Sequence, residues 1–407
     1  MKIFNKIFKR AIPAACVLLV ASSCADFLDI NENPNDPLTT ELKQNLPVVE
    51  TVIFEAFGHS GGGLSDITSQ FVNQTVQRGP TNFYFVQGNE FAIANSWPNM
   101  FSGALKDLDL MIASATERES WHYLGVAQIL KAYSFSMMVD VWGNVPYTEF
   151  GLGTANPFPK FDEGEEIYPK LLVLLEDAVE NLEKESNEVL ENDLIFSNDE
   201  DTWKKFGNAL RLKLYNQVKD TPLYDAAAVA DIINNADLPI DVADGFRLKY
   251  TDGNNPENRH PLFKKDYVDN NASYIDPFFY RIMDGSGEFN PDYTGIVDPR
   301  IPYYFYNQLA GDDPQNPPTS AYYGDFLSIW FASYNIDPNE GFDQAQSQTL
   351  VGLYPCGGAF DDGSGDTGDA DSGLKGAGYQ RLYPYFAHLY TMAELALTKG
   401  APGDARD

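Results

Sequence analysis

Cysteine is scarce, with three in 407 residues. Cys16 lies in a leader-like segment and Cys24 has another role, argued below, so only Cys356 remains and no intrachain disulfide can close. Histidine is equally sparse. His59, His122, His260 and His388 stand apart, without HExxH or CxxC spacing, so no zinc set is expected and no metal or other cofactor is implied. Basic side chains are few, 28 Lys and Arg against 59 Asp and Glu, and the formal net charge is −31. Such a field repels phosphate backbones and argues against a nucleic-acid partner. Long apolar runs are absent too. The run Ala11 to Ala21 falls well short of the roughly 20 residues that a spanning helix needs, and no later segment approaches that length.

What surrounds that run is informative. Lys2, Lys6, Lys9 and Arg10 precede it, no acidic residue does, and Ser22 and Ser23 close it, which is the layout of an export signal over residues 1–23. Small residues directly before a cysteine, Ala21-Ser22-Ser23-Cys24, resemble a bacterial lipobox, which would make Cys24 a lipidated N-terminus. Acyl chains are held by about 0.8 kcal/mol per buried CH2, enough for several to tether a large body to a membrane by lipid alone. Residues 24–40, rich in Asp and Asn, then read as a polar tether, and residues 41–407 as one domain.

The first part of that domain has helical periodicity. Leu42, Leu46, Val49, Ile53, Ala56 and Phe57 predict a helix over 41–57. Trp97 to Glu117 and Trp121 to Trp142 predict two more, antiparallel across the short link Arg118-Glu119-Ser120, with Ala127 and Ala132 allowing close approach. A second pair follows, with stripes Ile167, Leu171, Leu174, Ala178, Leu182 and Trp203, Phe206, Leu210, Leu214, Val218. Asp162, three residues before Glu165, is placed to cap the first of these. Leu389 to Lys399 predicts a last helix, stopped by Gly400 and Pro402. Between about Asp241 and Tyr383 the pattern breaks into loops with short helices or strands.

That broken region is aromatic. Tyr274 to Tyr354 holds 18 aromatic residues in 81, with only two basic ones. The flat faces of pyranose rings stack on Trp and Tyr, while their hydroxyls need Asn, Asp and Gln partners. Loops mixing these classes point to sugars. Three stretches fit: Phe71 to Phe91 leading to Trp97, Ala272 to Asp284, and Ser320 to Asn335. The candidate ligand-binding residues are Asn73, Tyr84, Trp97, Tyr274, Tyr322, Tyr323, Trp330 and Tyr334.

Two other patterns point elsewhere. Gly58 to Gly62 reads GHSGG, the GxSxG form of a hydrolase nucleophile elbow. A helical segment precedes it and leaves no room for the upstream strands such an elbow needs, so a glycine-rich helix terminus is the better reading and no catalytic residue is expected. Asp361, Asp362, Asp366, Asp369 and Asp371 lack the order of a calcium-binding EF-hand and read as a solvated surface loop.

Four segments together resemble one family. "CADFLDINENPN" (Cys24 to Asn35), "GVAQILKAYSFSMMVDVWGNVPYTEF" (Gly125 to Phe150), "NDLIFSNDEDTWKKFGNALRLKLYNQV" (Asn192 to Val218) and "VDPRIPYYF" (Val297 to Phe305) resemble SusD/RagB outer-membrane nutrient-binding lipoproteins, in that family's order. The resemblance implies a mostly α fold, a SusD-like domain on a tetratricopeptide-like scaffold of helix pairs with long aromatic-rich loops. It implies a non-enzymatic protein, lipid-anchored in the outer membrane and facing the cell exterior. Such a protein captures oligosaccharide, or in some members peptide, for a SusC-like TonB-dependent transporter. It also places Trp97 and the loops before it where such proteins stack ligand. Within the family pattern the last helix pair looks incomplete, so a truncated product or fragment is expected, with Leu389, Met392, Leu395 and Ala396 partly uncovered. A surface-anchored hydrolase and a purely structural transporter subunit are the alternatives from other classes.

Overall fold

The computed structural model describes residues 41–59, 63–77, 96–269, 273–306, 350–351 and 376–405. Helix α1 (Leu42–Phe57) buries the predicted stripe and ends at Gly58. Helix α2 (Leu64–Phe71) follows, then strand β1 (Thr75–Gln77). The expected helix from Trp97 is a composite. One turn at Ser96–Pro98 runs into π-helical Asn99–Ala104 and then α3 (Leu105–Glu117), so the residues around Pro98 do not keep the α-helical register.

Helix α4 (Trp121–Trp142) has the predicted bounds and forms the hub. Its residues are buried on every side, from Tyr123 and Leu124 to Met138 and Val139, as expected of a helix surrounded by others. Helix α5 (Gly164–Leu182) packs along it closely, because Gly125 leaves no side chain between the two backbones. A Cβ at Gly125 would lie 2.8 Å from the Ala178 carbonyl oxygen. This contact is distinct from the α3–α4 approach expected of Ala127 and Ala132, since Gly125 faces Ala178 and Leu182 of α5.

Along α5 the predicted stripe is buried except Leu174, which is half-buried while Leu175 takes the inner position. Helix α6 (Glu200–Gln217) carries Trp203, Phe206, Leu210 and Leu214 inward, and its cap is Asp199, whose carboxylate accepts the amides of Asp201 and Thr202. Helix α7 (Ala226–Asn235) is capped in the same way by Asp225. The core between these helices is ring-rich: Phe206 and Phe246 stack 4.5 Å apart and 6° from parallel, with Tyr133 and Phe54 at 5.0 and 5.1 Å from Phe246.

The loop-rich region supplies every strand but β1. Strand β2 (Phe246–Tyr250) pairs antiparallel with β6 (Gly378–Tyr383). A second sheet has the order β1-β3-β5-β4, with β3 (Ser273–Ile275), β4 (Phe305–Tyr306) and β5 (Leu350–Val351). Helix α8 (Pro277–Met283), capped by Asp276, leaves that sheet after β3. The last helix, α9 (Tyr385–Lys399), stops where Gly400 turns to φ 65°, and packs on α6 with Lys219 and Asn216 meeting Glu394. Of the residues expected to be uncovered on it, Leu389 is exposed, whereas Leu395 is fully buried in the core. Met392 and Ala396 are half-buried, and Phe386, Tyr390 and Leu397 are exposed as well, because the inner face of α9 is turned toward α6 and the turn at Val242–Asp244.

Candidate functional site

An aromatic platform forms where the composite helix at Ser96–Ala104 meets the end of α4 and the loop that follows it. Trp97 is the centre. Its ring meets Phe101 at 4.6 Å, Trp142 edge-on at 5.4 Å, and Phe161 face to face at 6.0 Å and 14°. Behind them Phe101 touches Phe150 and Phe135, and Phe135 packs on Tyr147 at 4.7 Å. The inner rings belong to the core, while Phe161 is 52% exposed and Phe158 89% exposed. Trp97 and Trp142 are half-buried, so each is braced on one side and accessible on the other.

The loop 143–163 that carries these rings is closed at its base. Gly143, at φ 75°, turns the chain out of α4, and Val145 bridges Asp162 through both backbone amides. Gly164 lets α5 begin against Val139, since a Cβ there would lie 2.8 Å from its side chain. Asp162 is not the helix cap that its spacing suggests. The cap position is Glu163, which makes no side-chain cap bond, and the Asp162 carboxylate turns back into the loop. Its Oδ2 accepts the amides of Tyr147 at 3.0 Å and Thr148 at 2.7 Å, and its Oδ1 accepts the Thr148 hydroxyl. Burial pushes its pKa up, but the Thr148 hydroxyl, the two amides and Lys170 together hold it below the usual carboxylate range.

Polar groups border the rings. Glu149 accepts from the Asn156 amide at 2.6 Å and from the Lys160 backbone at 3.0 Å, and Lys131 pairs with Asp109 beside the Tyr147 ring. Rings offering flat apolar faces next to amides and carboxylates suit a ligand with both apolar faces and hydroxyls.

The other sequence-predicted residues fall elsewhere. Asn73, at φ 56°, forms the turn between α2 and β1, its amide donating to the Gln70 carbonyl. Tyr274 lies on β3, opposite Val76 of β1 and Leu350 of β5. Asn73 thus stands in the turn that leads into β1, the strand paired with that of Tyr274. Tyr84, Tyr322, Tyr323, Trp330, Tyr334 and Cys24 lie outside the described residues, as do Ser60 and the aspartates Asp361 to Asp371. Before the GHSGG motif the chain is the helix α1, where a nucleophile elbow would need a strand.

A family described as starch-binding and associating with the outer membrane, SusD-like, matches residues 54–335. The chain belongs to the SusD-like family. Among solved structures, a SusD/RagB family protein from Bacteroides thetaiotaomicron aligns with TM-score 0.66 and 17% identity, over 91% of this chain and 70% of that one. A SusD homologue from Bacteroides fragilis aligns with TM-score 0.63 and 16% identity, over 90% and 70%. A chitin-binding SusD homologue from Flavobacterium johnsoniae gives 0.62 and 17%, over 90% and 68%. At these identities the structures establish a shared mostly α fold. Among curated proteins, no sequence matches.

Within this SusD-like chain, sequence reasoning does not name Trp142 and Phe161, the rings that meet Trp97. The signal was present in "VWGNVPYTEFGLGTANPFPKFDEG", Val141 to Gly164, where aromatics recur among Gly, Pro and Asn, as in the three stretches that were singled out. Among the described residues no helix is long and apolar enough to cross a membrane, and no group of three or more His, Cys, Asp and Glu could hold a metal ion.

Proposed function

We propose that the protein captures oligosaccharide at the cell surface and delivers it to a TonB-dependent outer-membrane transporter, without catalysing a reaction on it. The observation that carries this reading is the exposed, braced ring surface of Trp97, Phe161 and Trp142, which matches the alternating apolar and polar faces of a pyranose chain. Membership of a family described as starch-binding supports it, as does the likeness to a structure described as chitin-binding. Asn73, Tyr84, Tyr274, Tyr322, Tyr323, Trp330 and Tyr334 extend the ligand surface in this reading.

Affinity is modest and nearly independent of salt, because a neutral sugar releases no counterions. Calorimetry against soluble starch, chitin oligosaccharides and other neutral polysaccharides tests it: a signal that weakens in Trp97→Ala is expected. Silence across the panel, with binding to peptides instead, would refute the sugar claim. Release of shortened product from any bound glycan would refute the absence of catalysis.

The chain is held at the outer membrane by lipid on Cys24. Incorporation of labelled palmitate into the wild type and not into Cys24→Ala is the expected outcome; equal labelling of both overturns the anchor.

A further inference from the structure

Asp162 has the placement of a helix cap but leaves that role vacant. Glu163 starts α5 with no side-chain cap bond, while all the acceptor capacity of Asp162 is directed at residues 147 and 148, across the neck of the loop. A carboxylate that accepts two backbone amides and a hydroxyl makes stronger, shorter contacts than a neutral acceptor, and it is nearly buried. What lies on each side of it gives the arrangement its meaning. Directly before Asp162 stands Phe161, stacked on Trp97; the amide it holds on the opposite strand belongs to Tyr147, whose ring is seated on Phe135. The backbone bridge to Val145 and the close packing of Gly164 on Val139 fix the base of the same loop. Its far side is pressed on α3, where Gly151, at φ 84°, leaves only 2.9 Å between a built Cβ and Asp109.

We propose that Asp162 is the positioning residue of the aromatic platform, clasping the loop 143–163 so that Phe161 is held stacked on Trp97 with its outer face toward ligand. This rests on reading the platform as the ligand surface. Asp162 touches no ligand itself; it removes the freedom that Phe161 would otherwise lose on binding. A ring on a closed loop meets ligand already oriented, and one on an open loop must first be ordered.

Three variants separate positioning from general stability. Asp162→Asn keeps an oxygen for the two amides, Asp162→Ala keeps none, and Thr148→Val removes only the hydroxyl contact. In amide hydrogen exchange, Tyr147 and Thr148 exchange about tenfold or more faster in Asp162→Ala, and close to wild type in Asp162→Asn. Near-UV circular dichroism from the Trp97 and Trp142 pair collapses in Asp162→Ala alone. Affinity for the polysaccharide that the wild type binds falls about tenfold, equivalent to 1.4 kcal/mol, in Asp162→Ala and by less than about threefold in the other two. Unchanged exchange and near-UV signals in Asp162→Ala overturn the proposal. So does an Asp162→Asn protein as impaired as Asp162→Ala, because charge and not the clasp would then be what matters. If the wild type binds no polysaccharide, the glycan reading fails, and the exchange and near-UV results still decide what Asp162 does.

Discussion

Trp97 and Phe161 lie face to face, 6.0 Å between centroids and 14° from parallel, although one precedes the helical hub and the other closes the loop beyond it. Their burial differs: Trp97 packs against the core and Phe161 is half in solvent. Phe161→Ala therefore weakens ligand by about 1 kcal/mol, the scale of one ring stack, while thermal melting moves little. Trp97→Ala weakens ligand and also lowers the melting temperature. Calorimetry and melting of both variants check this; equal loss of stability in the two would contradict the assignment of Phe161 as a surface ring.

His260 predicts an acid limb of stability. Its Nδ1 accepts the Leu262 amide, and its Nε2 finds no partner among the described residues. Burial first, then the nearby His59 and Arg381, push its pKa down to about 3. Asp66 and Lys265 lie close by through His59, and Tyr250 packs on the ring. The unfolded chain binds a proton near the ordinary value of 6.5 that the folded one refuses, so this contribution is present above that pH and is lost as pH falls toward 3. The slope is about 1.4 kcal/mol per pH unit. Urea melts at pH 7, 5.5 and 4.5 measure it, and His260→Gln, which cannot protonate, flattens it; an unchanged slope in that variant would exclude His260 as the source.

Glu50 has the opposite sign. It is fully buried on α1, its carboxyl beside the carboxylate of Asp193, and its Oε2 accepts the Leu194 amide. Burial, then Asp193, hold its pKa well above the ordinary value of 4.5. The folded protein keeps a proton that the unfolded chain releases, so this contribution is complete below that value and is lost as pH rises through the folded pKa. Glu50→Gln carries the same shape without the proton and is as stable as the wild type at neutral pH or more so; Glu50→Ala loses about 2 kcal/mol or more through the cavity and the orphaned amide. Denaturant melts at pH 5 and pH 8 distinguish the two.

Gly125→Ala is expected to destabilise despite the better helix propensity of alanine, worth about 1 kcal/mol. The new Cβ would meet the Ala178 carbonyl oxygen at 2.8 Å and Leu182 at 2.7 Å, so α4 and α5 must separate. The net loss is about 1–3 kcal/mol, as for other overpacked cores. Chemical denaturation checks it, and a stabilised variant would mean that this helix contact is looser than the geometry shows.

Periodicity in the sequence alone determined four of the long helices: α1 and α4 have the predicted bounds within a residue, and the stripes on α5 and α6 are buried apart from Leu174, because a 3.6-residue repeat is a local property. Composition likewise determined the acidic character and marked aromatic, Gly- and Asn-rich loops as the place to look for a ligand. Only the tertiary structure decided which rings meet. Trp97 finds Trp142 and Phe161 across long stretches of chain, through the packing of α4 and the closure of a loop, and no local pattern encodes such a contact. The same holds for Asp162. Its spacing before α5 satisfies a capping rule, but a carboxylate goes to whichever unpaired amides the fold brings nearest, and those belong to Tyr147 and Thr148.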